Sequence, residues 1–336
     1  MKEEKLRFSI LDPARLLAAF AVLFYHYSIY IDSSNPLFPI LDFGYLGVNF
    51  FFILSGFVIT ASAQNRNAFE FVKARALRLY PAFIICLLIT VIVNFTIKDI
   101  SYPIHQILAN ATILNDYLKI ENIDGVYWTL QAEIKFYGCI FLLLLPGTFK
   151  YWRYWLSIWL LLAITHHFIK QPFFMGWFIS PNYSFYFIGG VSAYLIYLFP
   201  RDKLVLCIFL ASLIFSYINT LNQASDFMHN VDKSKEIWAG IIVSIFFIFF
   251  FFIAKGYLNI TRKPYLALLG ALSYPLYLIH NQTGKSAIQY LQNYIGTAFA
   301  IAVTILMVIA VSYLVVFLER RINKKLIATK TSIATT

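Results

Sequence analysis

The sequence is dominated by long apolar runs, each separated from the next by a short stretch that contains charged residues, proline or glycine. Several runs reach the length of about 20 residues that a helix needs to cross a hydrocarbon core about 30 Å thick. In total 60% of the residues are hydrophobic and only 13% are charged, and a soluble domain cannot bury so much apolar surface. The chain is therefore predicted to be all-α, a polytopic bundle of helices in a membrane, where each helix satisfies its own backbone hydrogen bonds.

About ten runs qualify as transmembrane helices. Lys and Arg divide unequally between the alternate loops that these runs define, with 19 on one side and 6 on the other. Because basic loops are retained in the cytoplasm, this asymmetry favours ten spans with both termini cytoplasmic. The predicted spans cover residues 10–31, 41–62, 81–97, 126–145, 152–169, 182–199, 203–221, 237–254, 266–283 and 297–318.

The segments between and beyond these runs are short. We predict one transmembrane domain over residues 1–325, followed by a short disordered cytoplasmic tail over 326–336. The first apolar run is predicted to be a retained span rather than a cleaved signal peptide, because it is long, contains ionisable residues and precedes no small-residue cleavage site. Residues 98–125 are too polar to span, and their periodic part predicts a helix at the membrane interface.

Charge and cysteine content narrow the function classes. The net charge is +11, but the basic residues are scattered between apolar segments rather than gathered on one stripe, so no nucleic-acid partner is expected. The cysteines Cys86, Cys139 and Cys207 lie in apolar runs without the spacing of a metal site. We expect neither a disulfide nor a metal.

Ionisable side chains inside a predicted span are costly, which makes each a candidate for function. They are Arg15 and His26 in the first span, Glu133 and Lys135 in the fourth, and His280 in the ninth. Arg15 and His26 share one helix face about 16 Å apart. His26, Glu133 and His280 all fall in the outer half of the membrane, where an imidazole can act as a general base toward a hydroxyl. Snorkelling to headgroups and interfacial hydrogen bonding are the structural alternatives.

A basic segment precedes the third predicted span on the cytoplasmic side. It holds Lys73, Arg75 and Arg78, and the two arginines share a helix face because they are three residues apart. Together with Arg15 at the same level, they suit a ligand that carries phosphates. Ordinary retention of basic residues in the cytoplasm is the alternative explanation.

The second predicted span is rich in small residues, with Gly44, Gly47, Ser55 and Gly56 between aromatic side chains. Small residues in a membrane helix permit close packing, which is their commoner use, or the passage of a thin ligand chain. Outside the membrane, Trp128 and neighbouring tyrosines can stack on a sugar face, although interfacial aromatic belts use the same residues.

Six motifs occur in a defined order along the chain. Their order resembles that of the membrane acyltransferase 3 family of O-acyltransferases, and the resemblance extends from Arg15 to about Glu319. The acid Glu319 lacks the following proline that we expect in many relatives, which weakens a role for this residue. The motifs are Arg15 and His26 with ten residues between them, GYLGVNFFFILSGF at 44–57, RALRLYP at 75–81, WTLQAE at 128–133, LGALSYPLYLIH at 269–280, and Glu319.

The resemblance implies a fold of about ten spans and transfer of an acyl group, often acetyl, from cytoplasmic acyl-CoA to a sugar hydroxyl of a cell-surface polysaccharide or its precursor. It implies that His26 is the catalytic base and that Glu133 assists at the acceptor. The donor would be bound by Arg15, Arg75 and Arg78. Residues expected to support the site or contact the acceptor are Asp12, Ser55, Trp128 and His280.

In this interpretation acyl-CoA is a donor substrate, and no cofactor is bound permanently. The expected partners are membrane lipids and a glycan or lipid-linked sugar, and the expected location is a bacterial inner membrane. Some relatives carry a fused extracytoplasmic domain, whereas this chain stops soon after the tenth span. We therefore expect it to act alone, as a homo-oligomer or with a separate envelope partner.

A transporter or flippase is the rival interpretation. The same buried histidines and carboxylate would then relay protons, and the basic loops would only orient the protein. Many transporters have internal repeats, but the histidine-bearing first and ninth spans are not counterparts in two five-span halves. Composition and topology alone leave both functions open.

Overall fold

The computed structural model describes residues 8–32, 34–170, 175–258, 260–261 and 263–333, with side chains described up to residue 324. In these residues the chain forms helices joined by short loops, without a strand. The helices are α1 (Leu11–Tyr27), α2 (Phe38–Leu41), α3 (Gly47–Ala63), α4 (Ala68–Lys98), α5 (Ile104–Ala111), α6 (Tyr127–Leu144), α7 (Trp152–Ile169), α8 (Met175–Phe178), α9 (Ser184–Leu198), α10 (Lys203–Phe227), α11 (Lys233–Ala254), α12 (Pro264–Ile279), α13 (Gln282–Ile295) and α14 (Thr297–Ile333).

Each predicted span coincides in position with one of these helices, so the all-α prediction is confirmed for the described residues. Five helical segments are long and apolar enough to cross a membrane by themselves. The count of ten spans and the cytoplasmic location of both termini stay predictions. The five segments are Phe38–Ala63, Ala68–Lys98, Lys203–Phe227, Lys233–Ala254 and Thr297–Lys324.

Local sequence signals set where several of these helices begin. Asn67 accepts a hydrogen bond from the Glu70 backbone N–H at 2.9 Å, and the Glu70 carboxylate accepts one from the Asn67 N–H at 3.2 Å. This reciprocal pair satisfies two N–H groups that the first turn of α4 would otherwise leave open. Asp202 and Asp232 cap α10 and α11 in a similar way. The basic segment that begins α4 is therefore helical from its first residues.

Glycines allow α3 to pack against α9 at very short range. A Cβ atom at Gly56 would lie 2.2 Å from the Phe187 carbonyl oxygen, and one at Gly190 would lie 1.9 Å from the Ile53 carbonyl oxygen. Both distances are shorter than any real contact, so only glycine fits at this crossing. The close packing expected from the small residues of the second span is confirmed.

Residues 282–295 form a helix that the sequence analysis did not assign. The ninth predicted span runs to residue 283, but α12 ends at Ile279 and α13 begins at Gln282. The prediction of one continuous span to residue 283 is wrong because α13 is amphipathic rather than uniformly apolar, with Ser286 and Ile288 buried and Tyr290 exposed. The helix α13 packs against α4 and α14.

Two further predictions concern polar segments. Within residues 98–125 the predicted helix is present as α5 (Ile104–Ala111), while its location at a membrane interface stays a prediction. At the other end, α14 continues to Ile333 through most of the segment predicted as a disordered tail. No proline or glycine occurs between residues 297 and 333 to end the helix. Residues 334–336 lie outside the described residues.

Candidate functional site

Two cavities lie inside the bundle and share part of their walls. The larger has a volume of about 1470 Å³ and the smaller of about 290 Å³. Val48 on α3 and Tyr277 on α12 line both. The larger cavity extends to Arg66, before α4, and to Arg320 on α14, whereas the smaller extends to Lys285 on the opposite side of the predicted topology.

The larger cavity has a strongly charged wall. It brings together the arginines that the sequence analysis assigned to a donor, although they come from α1 and α4. A cluster of guanidinium groups in one cavity is suited to phosphate because each can form two parallel hydrogen bonds to it. The basic residues that line it are Arg15, Arg66, Lys73, Arg75, Arg78 and Arg320, and the acidic ones are Asp12, Glu70, Glu133 and Glu319.

Asp12 and Arg15 form an ion pair in the first turn of α1, with 3.2 Å between the Asp12 and Arg15 side chains. Asp12 is buried against Gly270 of α12, where a Cβ atom would lie only 2.3 Å from the carboxylate. The aspartate is thus fixed between two helices, and it holds the Arg15 guanidinium at the cavity wall. The supporting role expected for Asp12 stays a prediction.

The two arginines of α4 differ in their surroundings. Arg78 forms an ion pair with Glu319 of α14 at 3.3 Å, and Glu319 is only 7% exposed. The sequence analysis gave Glu319 a weakened role, but the structure pairs it with a predicted donor-binding residue. Arg75 keeps its buried Nε without a hydrogen-bond partner among the described residues. The Arg75 side chain also lines the larger cavity.

Glu133 lies on the wall of the larger cavity. Its Oε1 accepts a hydrogen bond from the Ser55 hydroxyl at 2.5 Å and another from the Tyr137 hydroxyl. Lys135, two residues further along α6, pairs with Asp116 at 2.5 Å. The resemblance implies that Glu133 assists at the acceptor, and this role stays a prediction; in the structure Glu133 lines the larger cavity together with the arginines, whereas His26 lines the smaller one. Depth along a helix does not reveal which side of that helix faces which cavity.

One histidine lines the smaller cavity, and a second one packs against it. His26 lines it, and the ring of His280 lies 5.2 Å from the His26 ring between centroids. His280 is fully buried, and its Nδ1 lies 2.7 Å from the Tyr277 carbonyl oxygen. A carbonyl only accepts, so Nδ1 carries the hydrogen and Nε2 is an acceptor. That Nε2 has no hydrogen-bond partner within the described part of the chain.

Aromatic rings and amides complete the smaller cavity. Trp128 lies on its wall beside Tyr183, with 5.0 Å between ring centroids. Aromatic faces combined with amide and hydroxyl groups are suited to a sugar, whose ring has apolar faces and polar edges. The polar residues of the wall are Asn49, Thr220, Gln223, Asn281 and Lys285.

A buried carboxylate beside this cavity was missed by the sequence analysis. Asp124, in the loop before α6, accepts hydrogen bonds from Asn281 Nδ2 at 2.7 Å, from the Gln282 N–H at 2.9 Å and from the Val126 N–H at 3.1 Å. Burial raises the pKa of the Asp124 carboxyl, while these hydrogen bonds and the charge of Lys285 oppose the shift. Asp124 therefore ties the junction of α12 and α13, next to His280, to the start of α6.

The described residues contain no group of three or more His, Cys, Asp or Glu side chains placed to hold a metal ion. The three cysteines Cys86, Cys139 and Cys207 are free thiols.

Together these features define a helical membrane protein with a basic cavity and a histidine-lined cavity that meet inside the bundle. A model of the acyltransferase domain matches residues 8–318. The chain belongs to the acyltransferase 3 family. No solved structure matches it at a significant level.

Three curated proteins illustrate the similarity. Nodulation protein 10 of Rhizobium leguminosarum bv. viciae is 32% identical over 170 residues, which cover 43% of this chain and 45% of that protein. The O-acetyl transferase of Shigella phage Sf6 is 31% identical over 142 residues, 38% and 43% of the two chains. Acyltransferase MdmB of Streptomyces mycarofaciens is 26% identical over 151 residues, 41% and 39%. The matched region spans less than half the length of each relative.

Proposed function

We propose that this protein is an integral membrane O-acyltransferase of a bacterial inner membrane. It moves an acyl group, in the first instance acetyl, from cytoplasmic acyl-CoA to a hydroxyl of a cell-surface sugar or polysaccharide precursor. The single observation that carries the proposal is the contact between a cavity lined by arginines and a cavity that contains His26, along a wall formed by Val48 and Tyr277. Membership of the family and the name of the Shigella phage relative support it.

The larger cavity is the proposed donor site. Arg15, Arg75 and Arg78 bind the phosphates of acyl-CoA, because all three line one cavity. The buried acids Asp12 and Glu319 orient Arg15 and Arg78, respectively. The rise of about 1.5 Å per helical residue separates Arg15 from His26 by about 16 Å along α1. A pantetheine-like arm extended along α1 brings the thioester from the arginines to the histidine.

The smaller cavity is the proposed acceptor site. A sugar hydroxyl lies next to His26, which removes its proton as the hydroxyl oxygen attacks the thioester carbon. His280 orients the His26 ring, and Trp128 stacks on the sugar. Glu133 acts from the donor side, where its bonds to Ser55 and Tyr137 hold α3 and α6 together along the path of the pantetheine arm.

The test uses the protein purified in detergent with radiolabelled acetyl-CoA, with and without total cell-envelope glycans. Wild type and His26→Ala are compared for release of CoA and for label in the glycan. We expect transfer that requires His26, with the variant inserted and folded normally. Full transfer by His26→Ala would exclude this mechanism, and failure of the wild type to bind or turn over acetyl-CoA would favour a transporter.

A further inference from the structure

Tyr277 is the one residue with a polar side chain among those described on the wall that the two cavities share. Val48, the other shared residue, is apolar. Tyr277 is 6% exposed, and its ring packs against Phe51 at 5.7 Å and against His280 at 5.4 Å between centroids. The tyrosine ring is thus held between Phe51 of α3 and His280, which directly follows α12, at the boundary between the cavities.

The Tyr277 hydroxyl is oriented by a hydrogen bond to the Thr129 hydroxyl, and a substrate oxygen can replace Thr129 as its partner. It lies 2.9 Å from the Thr129 hydroxyl, which itself lies 2.9 Å from the Val126 carbonyl oxygen. A carbonyl accepts only, so Thr129 donates its single hydrogen to Val126 and accepts the hydrogen of Tyr277. Tyr277 is therefore a hydrogen-bond donor already held in place.

The Tyr277 hydroxyl lies where the proposed reaction requires a hydrogen-bond donor. If the donor enters from the arginine-lined cavity and the acceptor from the His26 cavity, the thioester carbon must lie where the cavities meet. Attack on that carbon moves negative charge onto the carbonyl oxygen, and acyl-transfer enzymes stabilise this oxyanion with preorganised donors. Backbone N–H groups usually serve, but inside membrane helices they are bonded to the preceding turn. A side-chain hydroxyl at the boundary supplies the hydrogen-bond donor that the helical backbone cannot.

We propose that the Tyr277 hydroxyl stabilises the oxyanion of the transfer step, an inference that rests on the proposed function. The acceptor oxygen forms a bond to the thioester carbon while its proton passes to His26, and the carbonyl π electrons move to oxygen. Tyr277 exchanges its bond to Thr129 for one to this oxygen and keeps its own proton. The C=O bond then re-forms, the C–S bond breaks, and the departing CoA sulfur takes the proton from His26.

Substitution of Tyr277 by phenylalanine tests the inference, because it removes the hydroxyl and keeps the ring that packs against Phe51 and His280. We expect Tyr277→Phe to lower kcat by about 100-fold or more, as loss of one oxyanion donor does elsewhere. The dissociation constant for acetyl-CoA should stay unchanged, because the bond is made only in the transition state. Tyr102→Phe is the matched control, since its hydroxyl bonds to Asn94 and it lines neither cavity.

A second variant separates this role from a structural one. Thr129→Val removes the same Thr129–Tyr277 hydrogen bond but leaves the tyrosine hydroxyl in place. If the bond only supports the fold, Tyr277→Phe and Thr129→Val will lose activity equally. If Tyr277 stabilises the oxyanion, Thr129→Val will retain at least about tenfold more activity than Tyr277→Phe.

The outcomes are distinguishable from those of the proposed function. Wild-type turnover together with normal kcat in Tyr277→Phe would overturn this inference alone, as would equal losses in the two variants. Absence of turnover in the wild type would overturn the proposed function and this inference with it.

Discussion

The rings of His26 on α1 and His280 at the end of α12 lie 5.2 Å apart between centroids, although the two residues are 254 positions apart in the sequence. His280 Nδ1 is engaged by the Tyr277 carbonyl oxygen, so its Nε2 is the acceptor available to neighbours. The His280 ring packs against the His26 ring, and this contact restricts the direction in which the His26 nitrogens face. The pair thus assigns His280 a positioning role in the proposed transfer.

Removal of this acceptor should slow catalysis without weakening donor binding. His280→Ala is expected to lower kcat by about 100-fold, the loss typical of a misplaced reacting group, with little change in KM for acetyl-CoA. His280→Gln, whose amide oxygen accepts a hydrogen bond, should recover part of the rate. His105→Ala on α5, an exposed histidine, is the control, and a normal kcat in His280→Ala would contradict the assignment.

Arg75 should contribute to donor affinity more than to the chemical step. Its side chain lines the larger cavity, and a charged hydrogen bond is worth about 1.5–3 kcal/mol, or roughly a tenfold to 100-fold change in binding. Arg75→Gln should therefore raise KM for acetyl-CoA by at least about tenfold with a smaller effect on kcat. Arg153→Gln is the control, because Arg153 pairs with Asp202 outside both cavities. A change confined to kcat would argue against phosphate binding by Arg75.

The Arg78–Glu319 pair should behave as a positioning contact. The Arg78 side chain is 40% exposed, so solvent screens the pair and its loss should cost less than about fivefold in KM. Glu319→Gln and Arg78→Gln, measured singly and together, form a double-mutant cycle for acetyl-CoA binding. We expect the double variant to resemble Arg78→Gln, because Glu319 acts through Arg78. Strictly additive losses would show that Glu319 acts on the donor independently.

Ionisation of Asp124 should be visible as a pH dependence of stability. Burial raises its pKa in the folded protein above the value of about 3.9 that an unfolded aspartate has. The folded state therefore binds this proton more tightly, and stability falls as pH rises from about 4 through the folded pKa. Asp124→Asn lacks this ionisable group. The difference in Tm, wild type minus variant, should therefore decrease from low to neutral pH. An increase in this Tm difference with pH would contradict a raised pKa of Asp124 in the folded protein.

The crossing of α3 and α9 should not tolerate a methyl group. Gly56→Ala places a Cβ 2.2 Å from the Phe187 carbonyl oxygen, and such overpacking costs about 1–3 kcal/mol. Gly138→Ala on α6 is the matched control, because a Cβ there meets no atom within 4 Å. Thermal unfolding in detergent should show a lower Tm only for Gly56→Ala. Equal Tm values in Gly56→Ala and Gly138→Ala would mean that α3 and α9 move apart to accommodate the methyl group without loss of stability.

Features that depend on one helix at a time could be predicted from the sequence. The apolar runs predict the helices, and the common depth of His26 and His280 anticipates their contact. The location of Glu133 could not be predicted, because the side of α6 that faces the arginines depends on how α6 packs against α3. Asp124 and Lys285 could not be identified from the sequence for a related reason, because their roles depend on partners in other segments. For Asp124 one such partner is Asn281, whose Nδ2 lies 2.7 Å from Asp124 Oδ1.

The shared wall of Val48 and Tyr277 has an electrical consequence. In the proposed topology the larger cavity opens to the cytoplasm and the smaller to the opposite side, so this wall separates the two aqueous compartments and part of the transmembrane voltage falls across it. A unit charge crossing 100 mV would exchange about 2.3 kcal/mol with the field. The phosphates of CoA remain on the cytoplasmic side of that layer, and the transferred acetyl group is uncharged. The proposed transfer of acetyl across this wall would therefore require no electrical work, whatever the membrane potential.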